Sequence, residues 1–532
     1  MRRLSGLDAA FLALETPSST GHVGGLSIVD PSTAKHELDL ERLISILEPR
    51  LALVPVLRQR LVDVPLGLDQ PVWIDDEHFD VEYHIREIAL PKPGSDAQLA
   101  EQVARIHARP LDRAKPLWET YLITGLRKGR IGIYTKVHHA AVDGVSGTEL
   151  LTLLFDLTPE PQEMPRSDFT PRPAPSSLRL GRDALLKLAL RPFEATKLVT
   201  DAVVAVPSIA PILKPYLNAI LRRGSGDRDG DVIDVAATLA PPTPLNGPIT
   251  PHRKFSFRSV SLDDVKEVKN TFGCSVNDVV MSMCAAALRR WLQEHHALPE
   301  RPLVTMMPIS IRTDGDKAGE GGNKVSAMLV AIPTHLEDPV ERLQATKAVT
   351  MVAKQNQAQI PQGLVDDVVD FAPPALTARA AKMYFGSHVF NKVPPFNVVI
   401  SNVPGPPIPV YAAGAKLLAH YPVSVVTDGL ALNMTVIGYL GQLHFGLVAA
   451  RERVPDVDRI SDWLEEELSI LLALARAEQT RRVEEEEARK RAPKRRAAAT
   501  AKVPTPKKRA TPAKKTASAS TRTPSKRAAR SR

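Results

Sequence analysis

The residues best suited to chemistry lie in the stretch KVHHAAVDGVSG, Lys136 to Gly147. It sets two of the chain's 14 histidines side by side and follows them with Asp143 and Gly144. A neutral imidazole accepts a proton near pH 7, so it suits the general base of a transfer reaction. Read as a strand, IGIYTKVHH alternates its side chains between two faces. Ile131, Ile133, Thr135, Val137 and His139 share the more apolar face, and Gly132, Tyr134, Lys136 and His138 the other. The two imidazoles then point to opposite sides of a sheet, an arrangement poorly suited to ligating one metal. His139, at the strand end, reads as a catalytic base, and His138 as structural support. Asp143 precedes a glycine that permits a sharp turn, and reads as an anchor of the loop through an arginine. The bland account of either histidine is packing or simple surface placement.

The other reactive candidates are weaker. Cys274 and Cys284 stand ten residues apart, about 15 Å along one helix, beyond disulfide reach. They read as reduced core thiols of a cytosolic protein. GSGDRDGD lacks the residue order and the distal Glu of a calcium loop and reads as a polar loop. Ser275 and Asp278 form an S-x-x-D cap at a helix start, a structural role.

These side chains need elements to position them. SGLDAAFLALE reads as a short helix, HVGGLSIVD as a strand, and LDLERLISILEPRLALVPVLRQRL as one helix with apolar spacing of three and four. WETYLI and IGIYTKVHH read as strands joined by TGLRKGR, followed by a helix in VSGTELLTLLFDL. A second alternating pattern starts near residue 252. KFSFRSVSL, PLVTMMPISIR, NKVSAMLVAIP and FNVVISNVPG read as strands and SVNDVVMSMCAAALRRWLQEH as a long helix. LALNMTVIGYLGQLHFGLVAAR reads as a hairpin and DRISDWLEEELSILLALARA as a closing amphipathic helix. The fold class is α/β of the α+β type: a first domain over 1–160, a Pro-rich helical linker over 161–250, and a second domain over 251–475. Residues 476–532 make a charged helix end and a disordered basic tail.

The 532 residues are 43% hydrophobic and 24% charged, ordinary for a soluble globular protein. No signal-peptide core opens the chain, because Asp8 and Glu15 interrupt its first apolar run. No stretch reads as a spanning helix, which needs about 20 apolar residues. The net charge of +9 misleads: residues 489–532 alone hold 17 Lys or Arg and no Asp or Glu, so the body is net acidic. The low-complexity tail cannot bury enough apolar surface to offset its chain entropy.

HHAAVDG fits the HHxxxDG motif of the CoA-dependent acyltransferase superfamily. Within it, the chain resembles the bacterial wax ester synthase/diacylglycerol acyltransferases over residues 1 to about 475. The resemblance is carried by the opening LSGLDAAFLALETPSSTGHVGGL, by Pro116-Leu117-Trp118, by Asn277-Asp278 in SVNDVV, and by PISIR, GGNKVS and SNVPGP in that order. It implies two chloramphenicol-acetyltransferase-like domains facing a central channel, which acyl-CoA enters from one side and a lipid alcohol from the other. His139 would be the general base of a direct acyl transfer to diacylglycerol, without covalent intermediate, metal or cofactor beyond acyl-CoA as substrate. Fatty alcohols, giving wax esters, are the alternative acceptors.

The remaining motif residues have paired readings. Asn277 is not needed for the cap at the helix start, and its amide, beside a positive helix N-terminus, is a candidate contact for the thioester oxygen. Trp118 either lines the acyl channel or packs in the core. Arg312 is either the partner of Asp143 or a structural cation. Gly144, Ser401 and Asn402 are candidate substrate contacts, and with Gly405 the last two form either channel wall or a plain turn.

Water-insoluble substrates without a spanning helix imply a cytoplasmic protein on the inner membrane face or on lipid droplets, not secreted and with no obligate protein partner. Residues 177–222, with Leu185, Leu188, Phe193 and Leu198 among basic residues, are either that contact or a packed linker. The tail is expected to bind anionic lipid or nucleic acid. Two other classes compete: a peptide-synthetase condensation domain, which would expect adjoining modules, and a non-catalytic lipid-surface or polyanion-binding protein that keeps the fold.

Overall fold

The computed structural model describes residues 2–142, 153–162, 164, 170–187, 240–310, 325–357 and 394–491. Asp143, Gly144, Arg312, Leu188, Phe193, Leu198, GSGDRDGD and the basic tail lie outside the described residues. The chain divides into two units, Met1–Glu478 and Gln479–Arg532. Within the second, residues up to Arg491 are helical, with Lys490 2.6 Å from Glu486 one turn earlier.

The first unit begins with β1 (Arg2–Arg3), α1 (Gly6–Leu14), β2 (His22–Asp30) and α2 (Leu40–Arg50). There follow β3 (Gln59–Val62), β4 (Val72–Asp75), α3 (Val81–His84), β5 (Ile85–Ala89), α4 (Asp96–His107), β6 (Trp118–Thr124), β7 (Ile131–His138) and α5 (His139–Val142). The second half contributes β8 (Arg253–Ser261), β9 (Leu303–Ser310), β10 (Val325–Ile332), β11 (Val398–Val403), β12 (Tyr411–Ala412) and β13 (Ala415–Val423). The hairpin β14 (Leu432–Tyr439) and β15 (Gln442–Ala450) and a helix over Val457–Arg491 complete it.

The strands assemble into two six-stranded mixed sheets and one three-stranded sheet. The first runs β12-β13-β2-β7-β6-β5, the second β10-β9-β11-β14-β15-β8, the third β1-β4-β3. Two sheet-containing halves thus match the expected fold class. The division is not clean in chain order, however. β12 and β13 fall in the segment assigned to the second domain, yet β13 pairs antiparallel with β2 of the first sheet. Local alternation shows that a strand exists; it cannot say which sheet edge will take it.

The expected single helix over Leu38–Leu61 also divides. α2 ends at Arg50, two short 3-10 turns follow, and Gln59 starts β3. Pro55 has no N–H to donate and holds Val54 outside the helical region, at φ −130° and ψ 76°. Up to that break the spacing works as read: Leu43 and Leu47, one turn apart, are buried.

The two large sheets meet where β13 crosses β15. A Cβ at Gly446 would stand 1.8 Å from the Pro422 carbonyl oxygen, so only glycine admits this approach. Beside it the Ser259 hydroxyl lies 3.0 Å from the Tyr421 hydroxyl and 2.7 Å from His444 Nδ1. A shared apolar cluster joins Leu26 and Tyr134 of the first sheet to Phe255 and Val448 of the second. Among the described residues no single helix is long and apolar enough to cross a membrane.

Candidate active site

β7 pairs antiparallel with β2 in a register that sets His138 opposite His22. The strand ends at His138, whose N–H donates to the Leu117 carbonyl at 2.9 Å. His139 opens α5, its N–H donating to the Gly21 carbonyl at 2.8 Å. The strand thus stops one residue short of the expected IGIYTKVHH, and His139 belongs to the helix rather than to the strand's alternation, though the two rings have different neighbours. His138 is 1% exposed, on the side of Lys136. His139 is half-buried and stacks on Phe11 of α1, ring centroids 4.1 Å apart and planes 24° from parallel.

The buried side is polar and closely paired. Lys136, wholly buried, donates from Nζ to the Ile106 and Arg109 carbonyls at 3.1 and 2.9 Å, and lies 3.4 Å from Glu119 Oε2. A cation at the C-terminal end of α4 is favourably placed against the helix dipole. The same Glu119 oxygen accepts from the Tyr121 hydroxyl at 2.8 Å. His107 lies 2.8 Å from the Tyr134 hydroxyl through Nδ1 and 3.1 Å from the Ser424 carbonyl through Nε2, so its proton sits on Nε2. Burial, with Lys136 nearby, holds His107 down at about 3 and His22 well below the usual imidazole range.

His138 has a defined tautomer. Its Nδ1 accepts the Ala140 N–H at 3.0 Å, so the proton is on Nε2, which lies 3.1 Å from Glu15 Oε1 without the alignment of a hydrogen bond. The same oxygen accepts the Gly21 N–H at 2.9 Å. The other carboxylate oxygen takes Nη2 and Nε of Arg113 at 2.6 and 3.2 Å. Burial pushes the Glu15 carboxyl up, but His138, the Gly21 N–H and Arg113 outweigh it and hold it at about 2. Glu15 is therefore an anion at any working pH.

The structure distributes the other sequence candidates as follows. Trp118 opens β6, 3% exposed, with Nε1 donating to the Leu57 carbonyl at 2.7 Å and its ring stacked on His84 at 4.6 Å. It borders a small apolar void lined also by Leu51, Val137 and Leu153, on the face of β7 that leads to His139. Asp278 is engaged twice, accepting from the Ser275 N–H at 2.8 Å and the Thr350 hydroxyl at 2.6 Å, as its capping role requires. Asn277, beside it, is half-buried and outside the cap. Ser401 is half-buried and Asn402 exposed on β11 of the second sheet. Gly405 packs against β14, where a Cβ would meet the Gly438 carbonyl oxygen at 2.0 Å. Burial pushes the Cys274 and Cys284 thiols up to about 11 and about 12, so neither is a ready nucleophile.

Sequence reading passed over Phe11, Gly21 and Arg113 and took Glu15 only as a charge breaking an apolar run. The available signal was a carboxylate directly after an apolar helix and before TPSSTGH, a turn-rich return into a strand with its own histidine.

Residues 4–280 match the wax ester synthase/diacylglycerol acyltransferase catalytic domain, and residues 321–472 the C-terminal domain of the same enzymes. The Mycobacterium tuberculosis protein Rv1760, named as a diacylglycerol O-acyltransferase, is 35% identical over 477 residues, 89% of this chain and 90% of that protein. A second M. tuberculosis protein of that designation, tgs2, is 36% identical over 473 residues, 87% of this chain and 97% of its own. The solved wax ester synthase/diacylglycerol acyltransferase of Marinobacter aquaeolei VT8 is 32% identical and superposes with a TM-score of 0.61, covering 89% of this chain and 99% of that one.

Proposed function

This chain belongs to the wax ester synthase/diacylglycerol acyltransferase family, and on that premise we propose that His139 is the general base of its acyl transfer. The protein is an acyl-CoA-dependent O-acyltransferase. In our reading the acceptor is diacylglycerol and the product triacylglycerol. His139 takes the hydroxyl proton as the oxygen attacks the thioester carbonyl. The new C–O bond forms, the C–S bond breaks, and the imidazolium returns its proton to the CoA thiolate. Base assistance of this kind contributes about 10²–10⁴-fold; positioning and stabilisation of the oxyanion supply the rest. The Asn277 amide is the proposed contact for that oxyanion. Each bond change has its partner in substrate or imidazole, so the step calls for neither metal nor further cofactor.

One observation carries the choice of histidine. His138 is fully buried, its Nδ1 taken by the Ala140 N–H and its Nε2 turned into the interior 3.1 Å from Glu15 Oε1. His139 is half-buried, and its backbone and ring are both braced, by Gly21 and Phe11. The test offers purified protein radiolabelled palmitoyl-CoA with diacylglycerol and hexadecanol in competition, and resolves the lipid products. Predominant triacylglycerol supports the reading; predominant wax ester assigns the acceptor to fatty alcohols instead. His139→Ala is expected to lose at least about 10²-fold in turnover while keeping its fold. A folded variant with parental turnover overturns His139 as the base.

Insoluble acceptors call for work at a lipid surface, and peripheral attachment to the inner membrane face or to droplets is part of the proposal. The helix over 177–187 supports it: Leu180 is buried, while Leu178, Leu185 and Leu186 are 88%, 56% and 61% exposed beside Arg179 and Arg182. The tail's 17 basic residues would add electrostatic attraction to anionic lipid or nucleic acid. Full-length protein should bind anionic vesicles and DNA more tightly at low salt than a chain truncated after Glu487; equal retention at low and high salt ends the tail's role.

A further inference from the structure

We propose that Glu15 is a positioning residue for the histidine pair: one carboxylate fixes the tautomer of His138 and, through Gly21, the backbone of His139. The inference rests on the reading of His139 as the base.

The geometry is a closed circuit. α1 delivers Glu15 one residue past its end, and Arg113 locks it there by binding both Glu15 Oε2 and the Leu12 carbonyl, the latter at 2.7 Å. Oε1 then accepts the Gly21 N–H and sets its charge 3.1 Å from the His138 Nε2. Each leads to the motif by a separate route. His138 turns its bare Nδ1 to the Ala140 N–H, one of the donors that the first turn of α5 leaves without an intrahelical acceptor. Gly21 turns its carbonyl to the His139 N–H. Both peptides flanking the His139 side chain are thus tied to one anion.

The tautomer is the sensitive point. Were the His138 proton on Nδ1, the ring would present N–H to the Ala140 N–H and a lone pair to the carboxylate. Both contacts would turn repulsive in a buried site, and α5 would shift with its first residue. A carboxylate facing Nε2 excludes that state, because it only accepts. Its charge, balanced by Arg113 on the far side, is also why the residue must be acidic rather than merely polar. An amide at the same place can rotate to present either oxygen or N–H₂, so it leaves the choice open. Gly21 completes the fit: a Cβ there would come within 2.8 Å of His138 Nε2 and 3.6 Å of Glu15 Oε1, between the ring and the carboxylate.

The experiment is a double-variant cycle in full-length protein, with kcat and KM measured for palmitoyl-CoA and dioleoylglycerol on Glu15→Gln, His138→Gln and the pair, each normalised to folded protein by circular dichroism. Glu15→Gln is expected to lower kcat about 10- to 100-fold, the range seen when a histidine loses its orienting partner, with KM for palmitoyl-CoA held within twofold. The pair should be no slower than His138→Gln alone by more than about twofold, because the two residues act through one ring. A Glu15→Gln kcat within twofold of the parent, or losses that multiply in the pair, overturns the proposal. Should Glu15→Gln fail to fold, Arg113→Gln replaces it, since Arg113 is 55% exposed. It is expected to lower kcat several-fold at constant KM, and an unchanged kcat is equally fatal. The His139→Ala result separates the two ideas. Turnover surviving there removes the base itself, whereas an inactive His139→Ala beside an unaffected Glu15→Gln removes only the positioning role.

Discussion

At Gly21 the chain has no room for a side chain, since a Cβ would lie 2.8 Å from His138 Nε2 and 3.1 Å from its Cε1. Gly21→Ala must therefore displace a buried ring whose Nδ1 is held by the Ala140 N–H. We expect a loss of at least about tenfold in kcat with secondary structure intact, read by product formation beside circular dichroism. Lys136 poses a different single-residue problem. It is wholly buried, and Glu119 beside it is 7% exposed. Lys136→Met fills similar space but takes the buried cation away from Glu119, leaving that carboxylate the Tyr121 hydroxyl and Arg86, and removes a donor from the Ile106 and Arg109 carbonyls. Breaking one side of such a pair costs about 3–5 kcal/mol, so the urea midpoint should fall accordingly; a shift under about 1 kcal/mol contradicts the pairing.

At the scale of the element, the helix over Val276–Glu294 shows how much of the Asn-Asp motif is architecture. Ser275 and Asp278 form a complete capping box, and Asp278 also takes the Thr350 hydroxyl from the neighbouring helix over Pro339–Gln357. Asp278→Ala removes a cap worth about 1 kcal/mol and one hydrogen bond from the Thr350 hydroxyl, which keeps the Lys347 carbonyl. The expected loss is about 1–2 kcal/mol in chemical denaturation, with near-parental kcat per folded molecule. Asn277→Ala should do the reverse if its amide contacts the oxyanion: unchanged stability and a kcat reduced about 10²-fold, the cost of one oxyanion donor. α5 depends on tertiary partners in the same way. A single turn is too short to be stable alone, and the ring of His138 and the carbonyl of Gly21 hold its first donors.

Across the whole molecule, among the described residues, burial keeps five histidines neutral, His84 among them. Burial holds His107 at about 3 and His420 and His444 at about 4, and carries His22 well below the ordinary value. An unfolded chain takes up these protons near pH 6.5, so between there and about 4 it binds more protons than the folded one. Stability must then fall as pH drops through that window, each group adding up to about 1.4 kcal/mol per pH unit. Glu15, held at about 2, adds a further loss as pH falls from about 4.5 toward 2. Urea midpoints between pH 4.5 and 7.5 should decline steeply on the acid side, and a flat profile contradicts the neutral burial of the group.

The sequence by itself determined the motif and the strand that leads into it. Both follow from short-range order: side chains alternate with period two, and the pattern of Ile131 to Val137 assigns each face. It also determined the capping of the helix over Val276–Glu294, a four-residue signal. Only the tertiary structure decided that Glu15 and Gly21 meet His138 and His139, more than a hundred residues further along the chain, and that β13 from the second half completes the first sheet. Such meetings depend on which edges and turns the whole chain brings together, and no local period encodes them. For the same reason a charge that seemed only to interrupt an apolar run became the acceptor around which the histidine pair is arranged.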